Sequence, residues 1–294
     1  MKKAALALSL FVASSCFSQD GEFLYESSEV APGIYMTVGV DPAGGFGGGN
    51  LGVMIGDDYV AVVDDGLVPP APKLVNHIAE IAGRPVDFIV NTHYHGDHTG
   101  ANAAFAESGA VVFAHDNIRE RLLENVQSAG GPGGIPVVTF GEGVTFHLNG
   151  IEARVLHIPL AHTDGDAIIY VTETNVIFAG DIMFNNLFPY IDLDGGGTVE
   201  GFIAGQERIA AMANAETKII PGHGSLANLT DLKRNTAMLV DALARVKALV
   251  DAGKSEDEVV AANPLAGYAG EYDWAFINAE RMTRTIYKDL TTER

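Results

Sequence analysis

The stretch His93-Tyr94-His95-Gly96-Asp97-His98 puts three imidazoles and a carboxylate into six residues. Each is a ligand for a borderline-soft divalent metal, and imidazole with carboxylate suits zinc best. A loop that only capped a helix would gain nothing from this cluster, which is costly in charge and desolvation. Upstream, Val86-Asp87-Phe88-Ile89-Val90 reads as a buried strand, and downstream Gly100 to Phe105 reads as a helix start. The four ligands therefore belong on a loop at a strand end, where a rigid scaffold presents them.

Further on, ligand-type residues recur singly. His162 opens His162-Thr163-Asp164-Gly165-Asp166, Asp181 ends the apolar run Val176-Ile177-Phe178-Ala179-Gly180, and His223 lies in Pro221-Gly222-His223-Gly224 after the strand-like Lys218-Ile219-Ile220. Each comes at a strand end beside glycine, where backbone can approach a site closely. With the first segment they make seven ligands, enough for two metals.

This order of motifs resembles the metallo-β-lactamase superfamily of zinc hydrolases over about residues 30 to 230. The resemblance implies an α/β fold, a four-layer αβ/βα sandwich with two Zn2+ at one edge of the paired sheets. It implies that His93, His95 and His162 hold the first zinc, that Asp97, His98 and His223 hold the second, and that Asp181 bridges them. Within the superfamily, Asp181 stands where one β-lactamase subclass has Cys, and Asp181-Ile182-Met183-Phe184 lacks the Lys that follows there. A bridging Asp resembles the glyoxalase II, lactonase and general hydrolase branches. His95, where flavodiiron relatives have Glu, argues for zinc over di-iron.

The ligand set carries a mechanism. Zinc lowers the pKa of bound water to about 7, so a bridging hydroxide is available to attack a carbonyl carbon, with Asp97 orienting it. The expected substrate is a small ester, thioester, lactone or amide. The alternatives are a true β-lactamase, a phosphodiesterase, and a zinc-binding protein without catalysis.

Around the ligands, strand-like runs are Gly33 to Val38, Leu51 to Ile55, Val60 to Val63, Val86 to Asn91, Ala110 to Phe113, Val144 to His147, Ala153 to Ile158, Ala167 to Val171 and Val176 to Phe178. Helix-like runs are Pro72 to Ala82, Asn117 to Gln127, Val199 to Ala213, Leu229 to Ala252 and Trp274 to Leu290. Two sheets flanked by helices follow, as one domain over 19–294 with C-terminal helices. Asp64 and Asp65 end a strand, and one of them is expected to accept a hydrogen bond from a ligand imidazole. His115 reads as a helix cap, and His77, His147 and His157 as structural.

For the substrate, the glycine-rich segment Asp41 to Asn50 reads as a flap carrying Phe46. Ser128 to Pro136 and Phe184 to Asp194 are candidate further walls, the latter with Phe184, Phe188 and Tyr190. Basic residues are few near the ligands, unless Arg119, Arg121 or Arg154 folds back into the pocket.

Met1-Lys2-Lys3, an apolar run from Ala4 to Ala13 and small residues after it read as a signal peptide over 1–18. A periplasmic or secreted protein follows, with lipidation at Cys16 the lesser alternative. Cys16 is the only cysteine, which excludes an internal disulfide and a thiolate ligand. No later run is long and apolar enough to span a bilayer. The formal charge of -20 disfavours nucleic acid as a partner and leaves a small-molecule substrate. Oligomeric state is not readable from the chain.

Overall fold

The computed structural model describes residues 22–292. The signal peptide expected over 1–18, and Cys16 within it, lie outside the described residues. The first sheet runs in chain order: β1 (Leu24–Ala31), β2 (Ile34–Val40), β3 (Leu51–Ile55), β4 (Val60–Val63), β5 (Phe88–Val90), β6 (Val111–His115) and β7 (Val138–Phe140). Its first four strands are antiparallel and its last three join in parallel. The second sheet is β8 (Gly143–Leu148), β9 (Ile151–His157), β10 (Ala167–Val171), β11 (Val176–Phe184), β12 (Lys218–His223) and β13 (Ala227–Asn228), antiparallel except for the β11–β12 pair.

Strand composition explains the layering. In β4 all four residues are buried. Ala61 and Val63 face the second sheet, whereas Val60 and Val62 face helices. Such a strand loses the usual polar alternation because both its faces are covered. The inner layer joins Met54, Ala61, Val63 and Val90 of one sheet to Val155, Ile169, Val176 and Phe178 of the other. Outside the first sheet lie α1 (Ala71–Ala82), α2 (Gly96–Thr99), α3 (Asn102–Glu107) and α4 (Asp116–Glu124). Outside the second lie α5 (Val199–Met212) and α6 (Leu229–Asp251). The result is the four-layer αβ/βα sandwich.

The C-terminal α7 (Glu256–Ala262), α8 (Ala269–Tyr272) and α9 (Ala279–Thr291) pack on α5 and α6 around a separate apolar cluster. The run from Trp274 to Leu290 is not one helix. Asn278 caps α9 by accepting from Arg281 N at 2.9 Å, and Asp273 accepts from Ala279 N at 2.7 Å. Residues 274–277 become a turn, closed by Trp274 N donating to Ile277 O at 3.0 Å. Strand β1 is also absent from the sequence reading, because an edge strand bearing Glu26 and Glu29 carries too little apolar pattern.

Candidate metal centre

The ligand-type residues converge at one edge of the paired sheets, beyond the C-terminal ends of β5, β9 and β12 and beside the middle of β11. His93 to His98 follow β5 and run into α2; His162 lies between β9 and β10; His223 ends β12. Asp181 sits inside β11 rather than at its end, since that strand continues to Phe184 with every residue buried. The β11–β12 register slips on both sides of Gly180, and this irregularity turns Asp181 toward the cluster.

Asp181 is the hub. Its Oδ1 lies 3.1 Å from His98 Nε2. Its Oδ2 lies 3.4 Å from His223 Nε2, 3.5 Å from His162 Nε2 and 3.7 Å from His93 Nε2. Asp97 Oδ2 lies 3.4 Å from His223 Nε2 and 3.5 Å from His98 Nε2. His95 Nδ1 lies 2.9 Å from His162 Nε2. Donors on a tetrahedral zinc with bonds of about 2.0–2.1 Å stand about 3.3 Å apart, so this spacing is that of metal shells. Two groups emerge: His93, His95, His162 and Asp181, and Asp97, His98 and His223. His93 Nε2, His98 Nε2 and Asp181 Oδ1 are buried and make no well-formed hydrogen bond, although the last two lie 3.1 Å apart. Buried polar atoms are nearly always satisfied, so this trio fits a cation. No helix among the described residues is long and apolar enough to cross a membrane.

The outward-facing nitrogens of four of the imidazoles are engaged. His98 Nδ1 donates to Asp64 Oδ2 at 2.9 Å. Thr92 Oγ1 donates to the same oxygen at 2.7 Å, which leaves its lone pair to accept from His93 Nδ1 at 3.1 Å. His162 Nδ1 donates to Tyr190 O at 2.8 Å, and His95 Nε2 to Asp192 Oδ2 at 3.0 Å. These bonds fix each tautomer and aim the other nitrogen inward. Asp64 also groups with His93 and His98 as a conceivable ligand set. Its oxygens are already taken by Thr92 and His98, so it is an orienting residue. Asp65 instead accepts from Ala101 N at 2.8 Å.

Electrostatics point the same way. Burial drives His93 well below its ordinary pKa and His162 to about 4. Burial also opposes charge on His98 and His223, yet Asp181 lifts His98 well above its usual value and His223 to about 9. For Asp181 and Asp97, burial is outweighed by the neighbouring imidazoles, and both stay well below the carboxylate range. The floor of the site thus accommodates positive charge between two ionised carboxylates.

Above it opens a cleft of about 520 Å³, lined by His95, Gly96, Asp97, Asp181 and His223 below and by Phe46, Phe184, Tyr190, Trp274 and Phe276 around. Gly222 is required here by close approach, since a Cβ on it would lie 1.9 Å from Asp181 Oδ1.

A family model described as "Metallo-beta-lactamase superfamily" matches residues 44–250. The chain belongs to the metallo-beta-lactamase superfamily. Among its relatives is the hydroxyacylglutathione hydrolase of Methylococcus capsulatus, 28% identical over 224 residues that make up 71% of this chain and 78% of that one. An uncharacterized protein of Aquifex aeolicus is 32% identical over 53% of this chain and 77% of its own. The solved metallo-beta-lactamase from Pontibacter korlensis shares the fold, with a TM-score of 0.65 at 18% identity over 74% of this chain and 99% of that one. This superfamily member is a metallo-hydrolase whose His and Asp cluster suits a divalent metal.

The walls of this superfamily site depart from the sequence expectation. Phe46, Phe184 and Tyr190 line the cleft, but Phe188 does not. Its ring is fully buried among the C-terminal helices, because its backbone pairs with Tyr272 O and accepts from Trp274 Nε1 at 2.9 Å. Ser128 to Pro136 packs behind α2, where Ser128 O accepts from Thr99 Oγ1 at 2.8 Å. Arg121 pairs with both oxygens of Asp164 at 2.8 and 2.6 Å, Arg154 with Glu152, and Arg119 with Pro136 O, so none lines the cleft. His115 caps α4 as expected, accepting from Asn117 N at 3.1 Å. Sequence reasoning missed Asp192, Trp274 and Phe276. A sole tryptophan in a segment broken by Asp273 and Asn278 was the available signal for the last two.

Proposed function

We propose that this chain is an exported di-zinc hydrolase of small acyl substrates. The observation that carries the reading is the convergence of five imidazoles with Asp97 and Asp181, among which His93 Nε2, His98 Nε2 and Asp181 Oδ1 are buried without a well-formed hydrogen bond. His93, His95 and His162 would hold one zinc, Asp97, His98 and His223 the other, and Asp181 would contact both. The donor set of nitrogen and carboxylate oxygen suits zinc. When bound, the ions supply Lewis acidity, which makes water a nucleophile near neutral pH and polarises an acyl carbonyl.

The chain's own groups do the rest. Asp192, Asp64, Thr92 and Tyr190 O hold the imidazoles in one tautomer each. Asp97, on the cleft floor, orients the attacking water and accepts its proton at a carboxylate oxygen. The acyl–heteroatom bond breaks, water oxygen goes to the acyl carbon, and the leaving group departs with the proton. The aromatic walls exclude water from the reacting carbonyl. Export is supported by the signal-like sequence of residues 1–18.

The test is a panel on the zinc-reconstituted protein: a simple lactone, a thioester, nitrocefin and bis-p-nitrophenyl phosphate. Turnover of the lactone or thioester is expected, with loss on chelation and return with zinc. A β-lactam carries a carboxylate, and no Lys or Arg among the described residues lines the cleft to receive it. A charged hydrogen bond of that kind is worth about 1.5 to 3 kcal/mol, roughly tenfold to a hundredfold in rate. Slower β-lactam than lactone hydrolysis is expected. Efficient β-lactam turnover without lactonase activity would transfer the protein to the β-lactamase reading.

A further inference from the structure

The rings around the cleft form a continuous belt. Phe46 stacks on His223 at 5.7 Å between centroids and Phe184 stacks on it at 5.0 Å, and Trp274 tilts against it at 5.8 Å. Trp274 touches Phe276 at 5.7 Å, and Phe276 meets Tyr190 edge-on at 5.6 Å. Tyr190 in turn lies 5.7 Å from His95. The belt therefore runs from an imidazole of one proposed metal group to an imidazole of the other. Phe46, at one end, and Phe276, between Trp274 and Tyr190, stay about half exposed, at 52% and 49%. Large aromatics left in water at the rim of a cleft mark a surface that a ligand covers.

Charge is missing from this wall. Among the described residues no Lys or Arg lines the cleft: Arg121 pairs with Asp164, and Arg281 donates to Phe276 O with its guanidinium 5.1 Å from the Phe276 ring centroid. The net charge of -20 adds long-range repulsion of anions. A glutathione thioester presents two carboxylates, which such a wall cannot receive without leaving them desolvated and unpaired.

We infer that the belt of Phe46, Phe184, Tyr190, Trp274 and Phe276 is an aryl-binding subsite, and that the acyl substrate carries an uncharged aromatic group beside the scissile carbonyl. This rests on the hydrolase reading only for the word substrate; the binding site stands by itself. Phe46, on a glycine-rich segment, closes over the bound ring, and Trp274 is its floor.

Trp274 is the chain's only tryptophan, so its emission reports on the subsite directly. The full chain, with and without zinc, is titrated with phenylacetamide and with S-methylglutathione. Phenylacetamide is expected to shift the emission saturably, with S-methylglutathione at least tenfold weaker. Phe46→Ala is expected to weaken phenylacetamide about tenfold at unchanged zinc content. With zinc, kcat/KM for methyl phenylacetate should exceed that for methyl acetate by tenfold or more. Saturable aryl binding without ester turnover would remove the hydrolase reading and leave the subsite standing. S-methylglutathione binding as tightly as phenylacetamide, or no saturable change with phenylacetamide in a chain that takes up zinc, would overturn the inference.

Discussion

The floor and the wall of the cleft are built by opposite strategies. The floor takes four of its seven ligand-type residues from one hexapeptide and holds four of its imidazoles by directed hydrogen bonds inside a rigid sheet edge. The wall collects five aromatics from segments that meet only in the fold: the 41–50 segment, the chain from Phe184 to Tyr190, and the turn at 274–277. Chemistry that needs fixed geometry sits on strand ends, whereas selection among substrates is left to connecting segments that can vary. Floor variants should therefore injure every substrate alike, and wall variants should discriminate between substrates.

The largest expected effect is Asp181→Ala. It removes the carboxylate whose oxygens lie within 3.7 Å of imidazoles from both ligand groups, so turnover of all substrates should fall by orders of magnitude, with zinc content falling alongside. Metal analysis and kinetics on one preparation check this; an unchanged zinc content would separate Asp181 from the metals. Next is Gly222→Ala, whose Cβ would collide with Asp181 Oδ1. It should lower zinc content without removing any ligand side chain, and a variant with full zinc would show that the β11–β12 edge yields more easily than a packed strand should.

Asp192→Asn keeps the size of the group that accepts from His95 Nε2 and Tyr94 Oη. Loss of such an orienting carboxylate weakens metal by roughly 10–100-fold, readable by chelator competition. An unchanged zinc affinity would reduce Asp192 to a loop anchor.

Legibility divides along the same line. The hexapeptide was readable because its spacing is local: a strand end fixes where residues 93 to 98 lie. His162, Asp181 and His223 were readable only because they follow it in order beside glycines. The wall was not readable in full. Phe188 and Phe184 are four residues apart and chemically alike, and what sends one to the core is the backbone pairing of Phe188 with Tyr272, made with a distant segment. Trp274 reads as helical by composition, and only the caps at Asp273 and Asn278 make it a turn. Strand β1 was hidden for the opposite reason, an edge position that tolerates glutamates.

A smaller effect concerns pH. In the metal-free chain the folded pKa of His223 is raised to about 9 from an ordinary 6.5. Its contribution to stability is thus fully present below about 6.5 and is lost as pH rises through about 9. At most about 3 kcal/mol is involved, by the equivalence of one pKa unit to 1.36 kcal/mol. Denaturant unfolding of the chelated protein should show stability falling from pH 6.5 to 9, and His223→Gln should flatten that slope. The smallest effect belongs to the wall. Phe276→Ala should lower kcat/KM for aryl esters about tenfold and acetyl esters far less, since one aromatic contact is worth about 0.5–1.5 kcal/mol beyond its burial.

The central claim is that the seven ligand-type side chains form one two-metal floor. The most direct measurement is the zinc content per chain of the protein reconstituted with zinc and freed of excess, beside Asp181→Ala treated identically. The account predicts close to two zinc ions in the parent and a clear loss in the variant; one ion, mostly iron, or equal content in both would contradict it.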